Sequence, residues 1–209
     1  MVDLCGVIEA VERGAGGPPG DDWLTVVPQH SSRAAAVVAF TGRVMVAADV
    51  AAEWVRAQLP DGDLCAPLNP PFLTALSGRT GRHVNNIDMV MLASRATGGP
   101  AVDVRLVDDA DHPRVRRAHR YRDDVHVYLA DGGVLILGRG LAGRWEAAVE
   151  IDPYRQGQGL GRALAAAARH LVPEDRPVWA QIAPGNAASV RAFLAAGYSP
   201  IGAEALLVT

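Results

Sequence analysis

From residue 102 to residue 208 the apolar positions change period repeatedly, from two to three or four and back, and this rhythm outlines a fold. Residues 102–107 alternate apolar and charged side chains as a half-buried strand does, and 111–120 follow as a short basic helix. Three β-like runs come next, at 125–129, 134–137 and 145–151, the first two joined by Asp131, Gly132 and Gly133, which supply the positive φ of a tight hairpin. Leu160, Ala163, Leu164, Ala167 and Leu171 then recur at helical spacing, predicting a helix whose apolar stripe packs on a sheet. Pro173 and Pro177 bracket its exit. A strand at 178–182, a helix at 186–196 with Val190, Phe193 and Leu194 on one face, a left-handed cap at Gly197 and a final strand at 201–208 complete the series. The order β-α-β-β-β-α-β-α-β implies an α/β (α+β) fold: a mixed central sheet with flanking helices.

Two breaks divide the chain, GAGGPPG at 14–20 and SRATGGP at 94–100. They suggest a flexible N-terminal segment (1–20), an N-terminal α/β region (21–100) and a C-terminal domain (101–209). In the middle region, 34–48 is apolar and β-prone, 49–59 reads as a helix behind an Asp49 cap, 70–76 as another helix and 87–93 as a strand. This β-α-α-β extension carries no chemical motif, and its expected role is to shape an acceptor site or an oligomer interface.

Composition narrows the class. The chain has 209 residues, 49% hydrophobic and 21% charged, enough for one large core or two modest ones. A net charge of −3 gives no electrostatic reason to expect nucleic acid. Cys5 and Cys65 stand far apart, without the spacing of a metal site or disulfide framework, so no metal is expected and a reducing, cytoplasmic setting fits. No stretch approaches the roughly 18 apolar residues of a membrane span.

Two glycine runs compete as phosphate sites. Gly138-Arg139-Gly140-Leu141-Ala142-Gly143 matches GxGxxG, but a strand-like segment follows it instead of a helix, and 153–172 contains no acidic residue to hold a ribose hydroxyl. It reads as a glycine-rich turn. A nucleoside triphosphate loop is excluded, because GxxxxGK[ST] does not occur and no lysine lies near these glycines. The second run, Gln156-Gly157-Gln158-Gly159-Leu160-Gly161-Arg162, lies between a strand and a helix. There backbone N–H groups and a helix N-terminus can cradle a pyrophosphate.

This second loop contains [QR]xxGx[GA] as Gln156, Gly159 and Gly161, and Asn186-Ala187-Ala188-Ser189 followed by Gly197-Tyr198 gives an NxxS helix ending in Gly-aromatic. With both motifs in order and a strand between them, residues 101–209 resemble the GNAT superfamily of acyl-CoA-dependent N-acetyltransferases. The resemblance covers about half of the chain, and residues 21–100 read at most as a degenerate copy of a similar unit. It implies acetyl-CoA as acyl donor, an amine as acceptor, either a protein lysine or a small-molecule amine, and direct attack of the amine on the thioester. The cofactor-binding residues it implies are Val149, Glu150, Ile151, Gln156, Gly157, Gln158, Gly159, Leu160, Gly161, Arg162, Asn186 and Ser189. Of these, the strand residues 149–151 would pair with the pantetheine arm.

Direct attack needs a neutral amine, hence a base. Glu146 and Glu150 are the candidates; on one strand face they lie roughly 13 Å apart at about 3.3 Å per residue, so only one can serve. Each also reads as a solvent-facing residue paired with an arginine. The position where relatives carry an acid tyrosine is Phe193. Tyr198 is then the nominal acid, with Tyr154, His126, Tyr128 or water as substitutes. The substitution also admits a noncatalytic acyl-CoA-sensing or protein-binding module. The arginine-rich run at 114–122 reads as a solvated basic helix beside Asp109, Asp111, Asp123 and Asp124, or as a binding site for an acidic group. Relatives often close the sheet with a two-strand hairpin for which too few residues follow Gly202; the first half of the chain is the candidate to complete that edge.

Overall fold

A computed structural model describes residues 2–108 and 110–209; Asp109 lies outside the described residues. In chain order the elements are α1 (Leu4–Glu12), β1 (Leu24–Val27), β2 (Ala34–Phe40), β3 (Arg43–Ala47), α2 (Ala52–Ala57), α3 (Pro70–Thr80), β4 (His83–Ala93), β5 (Arg105–Val107) and α4 (Pro113–Tyr121). They continue with β6 (Asp123–Ala130), β7 (Gly133–Arg139), β8 (Trp145–Ile151), α5 (Leu160–Leu171), β9 (Val178–Ile182), α6 (Ala187–Ala195) and β10 (Ser199–Val208). The chain divides into two compact units, one running through Val90 and resuming at Ile201–Thr209, the other spanning Met91–Pro200.

In the first unit the strands run in the order β1-β3-β2-β10-β4. The apolar stretch 34–48 is two strands, because Thr41-Gly42 turns it into an antiparallel hairpin with Val37 opposite Val46. β1 joins β3 in parallel, and β10 pairs antiparallel with β2 from Gly202↔Phe40 to Val208↔Ala34. β2, from the first half of the chain, thus covers one edge of β10. Phe72, Leu73 and Leu76 of α3 and Val55 of α2 close over Leu24, Val37, Val46, Ala205 and Leu207.

Two expectations are corrected here. Residues 4–12, within the segment expected to be flexible, form α1: Leu4, Val7, Ile8 and Val11 recur at helical spacing and are buried, and Asp3 accepts the Gly6 N–H at 2.7 Å as N-cap. Asp49 caps no helix; its carboxylate accepts the Gln29 N–H at 3.1 Å, and α2 begins three residues later behind Ala51.

The second unit follows the expected order more closely. β5 to β8 form an antiparallel meander, β9 adds in parallel to β8, and the strands run β9-β8-β7-β6-β5. Helices take opposite faces. Val115 and Ala118 of α4 pack with Val127, Val134, Ile136 and Ala148. On the other side, Ile151 and Leu164 of α5 would meet a Cβ placed at Gly133, and Ile151 one placed at Gly161. By alternation along β8, Glu146 and Glu150 share the α4 face with Ala148, and Ile151 looks toward α5.

Candidate functional site

β8 delivers the chain to the loop before α5. After Ile151 comes a short 3-10 turn at Pro153–Arg155, then Gln156 to Gly159, then the helix. Gln156 and Gln158 do not reach outward: their side-chain amides donate to the Ile151 carbonyl at 3.2 Å and the Tyr154 carbonyl at 2.9 Å, bracing the loop from within. Gly157 and Gly159 adopt φ of 75° and 85°, and no atom outside the loop lies within 4 Å of where their Cβ would be. Gly159 is the N-cap of α5 and no side chain caps that helix. The first N–H groups of a 12-residue helix therefore face an open surface lined by glycine, with the positive end of the helix dipole behind them.

The other half of the site is a gap in the sheet. β8 and β9 are paired only at Glu146↔Trp179 and Ala147↔Ala180, although β8 continues to Ile151 and β9 to Ile182. β7 accompanies β8 along its whole length, to Gly133↔Ile151. Past Ala147, then, the backbone groups of 148–151 that point away from β7 meet no strand partner among the described residues. Val149, Glu150 and Ile151 lie on this open edge.

The two glutamates have different surroundings. Glu146 is 3% exposed, with Oε1 accepting from Arg144 Nε at 2.8 Å and Oε2 from Arg122 Nε at 3.0 Å; Oε1 also accepts the Leu141 N–H at 3.3 Å. Burial alone would raise its carboxyl pKa, but the Arg144 and Arg122 guanidiniums outweigh that and hold it below the usual carboxylate range. Arg144, fully buried, lies 4.8 Å from the Trp179 ring centre. A carboxylate fixed this way is a structural anion, which removes Glu146 from the catalytic candidates. It also explains the first glycine run: a Cβ on Gly140 would overlap the Glu146 carboxylate, and one on Gly138 would crowd Arg122. That run wraps an internal carboxylate at Gly138 and Gly140, while Gly143 serves a turn at φ of 73°.

Glu150 is half exposed at the end of β8. Its Oε2 accepts from Arg114 Nε at 2.7 Å, and His112 Nε2 stands 4.0 Å from Oε1. His112 is the N-cap of α4, its Nδ1 accepting the Arg114 N–H at 3.1 Å, so the other ring nitrogen is the one turned to Glu150. Arg114 opens the arginine-rich run that the sequence offers as a solvated helix or as a site for an acidic group, and His112 caps the helix that carries it. The remainder of the basic run divides its partners: Arg116 with Asp111, Arg122 with Glu146, and Arg117 and Arg120 against the Tyr121 ring.

Tyr198, the nominal acid, lies in the core. It is 2% exposed, its hydroxyl donates to the Ala165 carbonyl of α5 at 3.2 Å, and its ring meets Phe193 edge-on at 4.8 Å. Burial pushes its hydroxyl pKa far up. It ties α6 to α5 and is no proton donor to an open site. Asn186 acts as the N-cap of α6, accepting the Ser189 N–H at 3.1 Å, so both motif residues are occupied with starting that helix. Tyr128 is buried and His126 stacks edge-on against Trp145 at 5.6 Å; Tyr154 is the exposed aromatic beside the loop. Among the described residues no group of three His, Cys, Asp or Glu could hold a metal ion, and no helix is long and apolar enough to cross a membrane.

No protein-family model and no curated protein matches the sequence. The chain is similar in structure to GCN5-related N-acetyltransferases. One, from Kribbella flavida, is 18% identical, with a TM-score of 0.44 over 66% of this chain and 63% of that one. Another, from Sphaerobacter thermophilus, is 13% identical, with a TM-score of 0.40 over 65% of this chain and 55% of that one. A third, described as an acetyltransferase of the GNAT family, comes from Novosphingobium aromaticivorans; it is 15% identical, with a TM-score of 0.42 over 62% of this chain and 68% of that one. The chain thus spans less than two thirds of the length of the first two.

Proposed function

We propose that the chain is an acyl-CoA-dependent N-acyltransferase that moves an acetyl group from acetyl-CoA to an amine. The observation that carries this reading is the unpaired end of β8 leading directly into an uncapped, glycine-lined helix N-terminus. The backbone N–H groups of 157–162 would receive the pyrophosphate, with exposed Arg162 beside them. The open edge at Val149, Glu150 and Ile151 would pair with the amide-bearing pantetheine arm as an added strand does, directing the thioester through the gap toward the α4 face.

On that face Glu150 is the remaining general base. The acceptor ammonium gives up a proton to it, directly or through water, and the neutral nitrogen attacks the thioester carbonyl. The C–N bond forms, the C–S bond breaks, and the proton the nitrogen sheds on becoming an amide passes through water to the departing thiolate, giving free coenzyme A. A backbone N–H of the open edge is the natural donor to the oxyanion. The expected result is that acetyl-CoA at millimolar concentration raises the melting temperature, as a ligand of the native state must, and that amines release thiol from it. No shift at that concentration refutes the reading.

One observation favours a noncatalytic acyl-CoA-sensing module: Phe193 and the buried Tyr198 leave α6 without a proton donor. Water must then protonate the thiolate in the enzyme reading. Accordingly, Tyr198→Phe is expected to remove one neutral hydrogen bond, about 0.5–1.5 kcal/mol, and lower the melting temperature by a few degrees, with no change in acyl-transfer rate. A loss of about 10²-fold or more in that rate would restore Tyr198 as the acid.

A further inference from the structure

The cluster of Glu150, Arg114 and His112 bears on which amine is accepted. One carboxylate, one guanidinium and one imidazole meet where the first turn of α4 faces the end of β8. Glu150 lies three residues past the last β8–β9 pair, roughly 10 Å along the strand, on the sheet face opposite α5. The Arg114–Glu150 contact is made through Nε and one carboxylate oxygen, with both side chains 40% or more exposed. The terminal amino groups of the guanidinium and the second oxygen of Glu150 take no part in it.

From this geometry we infer that the acceptor is a small zwitterion, an amine with a carboxylate on the adjoining carbon. It inserts between Arg114 and Glu150, exchanging their mutual pair for two pairs of its own. The inference rests on the acyl-transfer reading. An amine with only positive charge has to displace Arg114 from Glu150 and then sit beside a free guanidinium, a repulsion of about 1 kcal/mol at 4 Å even in water. A zwitterion brings the missing anion. Its ammonium takes Glu150, which is also the base. Its carboxylate takes the fork of Arg114, the side chain suited to two-pronged recognition of a planar anion. His112 Nε2 is a further donor within reach, fixed by the cap that its Nδ1 makes. The amine and carboxylate of an α-amino acid are separated by one carbon, which matches two partners already in contact.

The test uses the full chain, acetyl-CoA and a thiol-release assay. Each protein α-amino acid is compared with its own decarboxylated amine, after the acetyl-CoA melting shift has been measured separately. At least one amino acid is expected to exceed its amine by about tenfold or more in kcat/KM, the loss of one charge-assisted pair. Arg114→Met should raise the KM for that amino acid about tenfold, leave kcat within a few-fold and improve use of the decarboxylated amine a few-fold, because the guanidinium it must displace and sit beside is gone. Arg114→Lys should recover part of the loss, and both variants should keep the wild-type melting temperature and acetyl-CoA shift. A normal acetyl-CoA shift with decarboxylated amines used equally or better, or with no amino acid consumed, overturns the inference and leaves acyl-CoA binding standing. No acetyl-CoA shift removes the acyl-transfer reading, and this inference with it.

Discussion

Replacing Glu146 by Gln is expected to lower the stability of the protein by about 3–5 kcal/mol, because it removes the carboxylate that Arg144 and Arg122 share while leaving both positive charges in place. Arg144 is fully buried and the Arg122 side chain is 12% exposed, so neither can recover its hydration without opening the sheet at β7 and β8. At about 2–4 °C per kcal/mol for a chain of this size, the melting temperature should fall by some 6–20 °C. The effect has a pH signature. The folded carboxyl titrates below its ordinary value of 4.5, so the unfolded chain binds the proton more readily. The contribution of Glu146 is therefore fully present above about pH 4.5 and is lost as pH falls through the lower folded value. Wild type and variant should differ widely at pH 7 and converge in acid. Gly140→Ala should also destabilise, since its Cβ would overlap the same carboxylate. A melting temperature for Glu146→Gln within 2 °C of wild type at pH 7 would show that the buried triad is not what anchors this corner.

Sequence spacing is informative for most contacts that are short in sequence and says little about most that are long. α5 and α6 were legible because their apolar positions recur at helical spacing and Asn186 caps locally. The glycine loop was legible because its strand, turn and helix are contiguous. The pairings that separate Glu146 from Glu150 are not local: Arg122 lies 24 residues from Glu146, and Arg114 lies 36 from Glu150. Both glutamates stand on one strand face, and only the packing of α4 decides which is sealed between arginines and which meets the opening. α1 was missed for a different reason. Its signal, Leu4, Val7, Ile8 and Val11, is real, but it lies directly before a glycine-proline segment that reads as a tail. β1 is four residues long and parallel to β3, too short to show a period of its own. The split of 34–48 at Thr41-Gly42 was available in the sequence, and the length of the apolar run concealed it.

Gly159→Glu should weaken acetyl-CoA binding about 100-fold while leaving the unliganded protein close to its native stability, and the contrast between those two numbers makes it the sharpest test of the loop. At φ of 85° a side chain costs about 1–2 kcal/mol. A carboxylate at a helix N-terminus returns about 0.3–1 kcal/mol of that through the dipole. Its Cβ meets no atom within 4 Å, so no packing term is added, and the net effect on the melting temperature is a few degrees at most. The ligand meets a different balance. A carboxylate about 5 Å from a doubly charged pyrophosphate is repelled by roughly 1.7 kcal/mol even in water. It also covers N–H groups that only a glycine leaves bare, and the two effects together pass the roughly 2.7 kcal/mol that 100-fold requires. Glu150→Gln, on the opposite face of the sheet, should leave the acetyl-CoA affinity within a few-fold while slowing transfer. Equal losses of affinity in the two variants, measured by titration calorimetry, would mean that the pyrophosphate does not lie on the backbone of this loop.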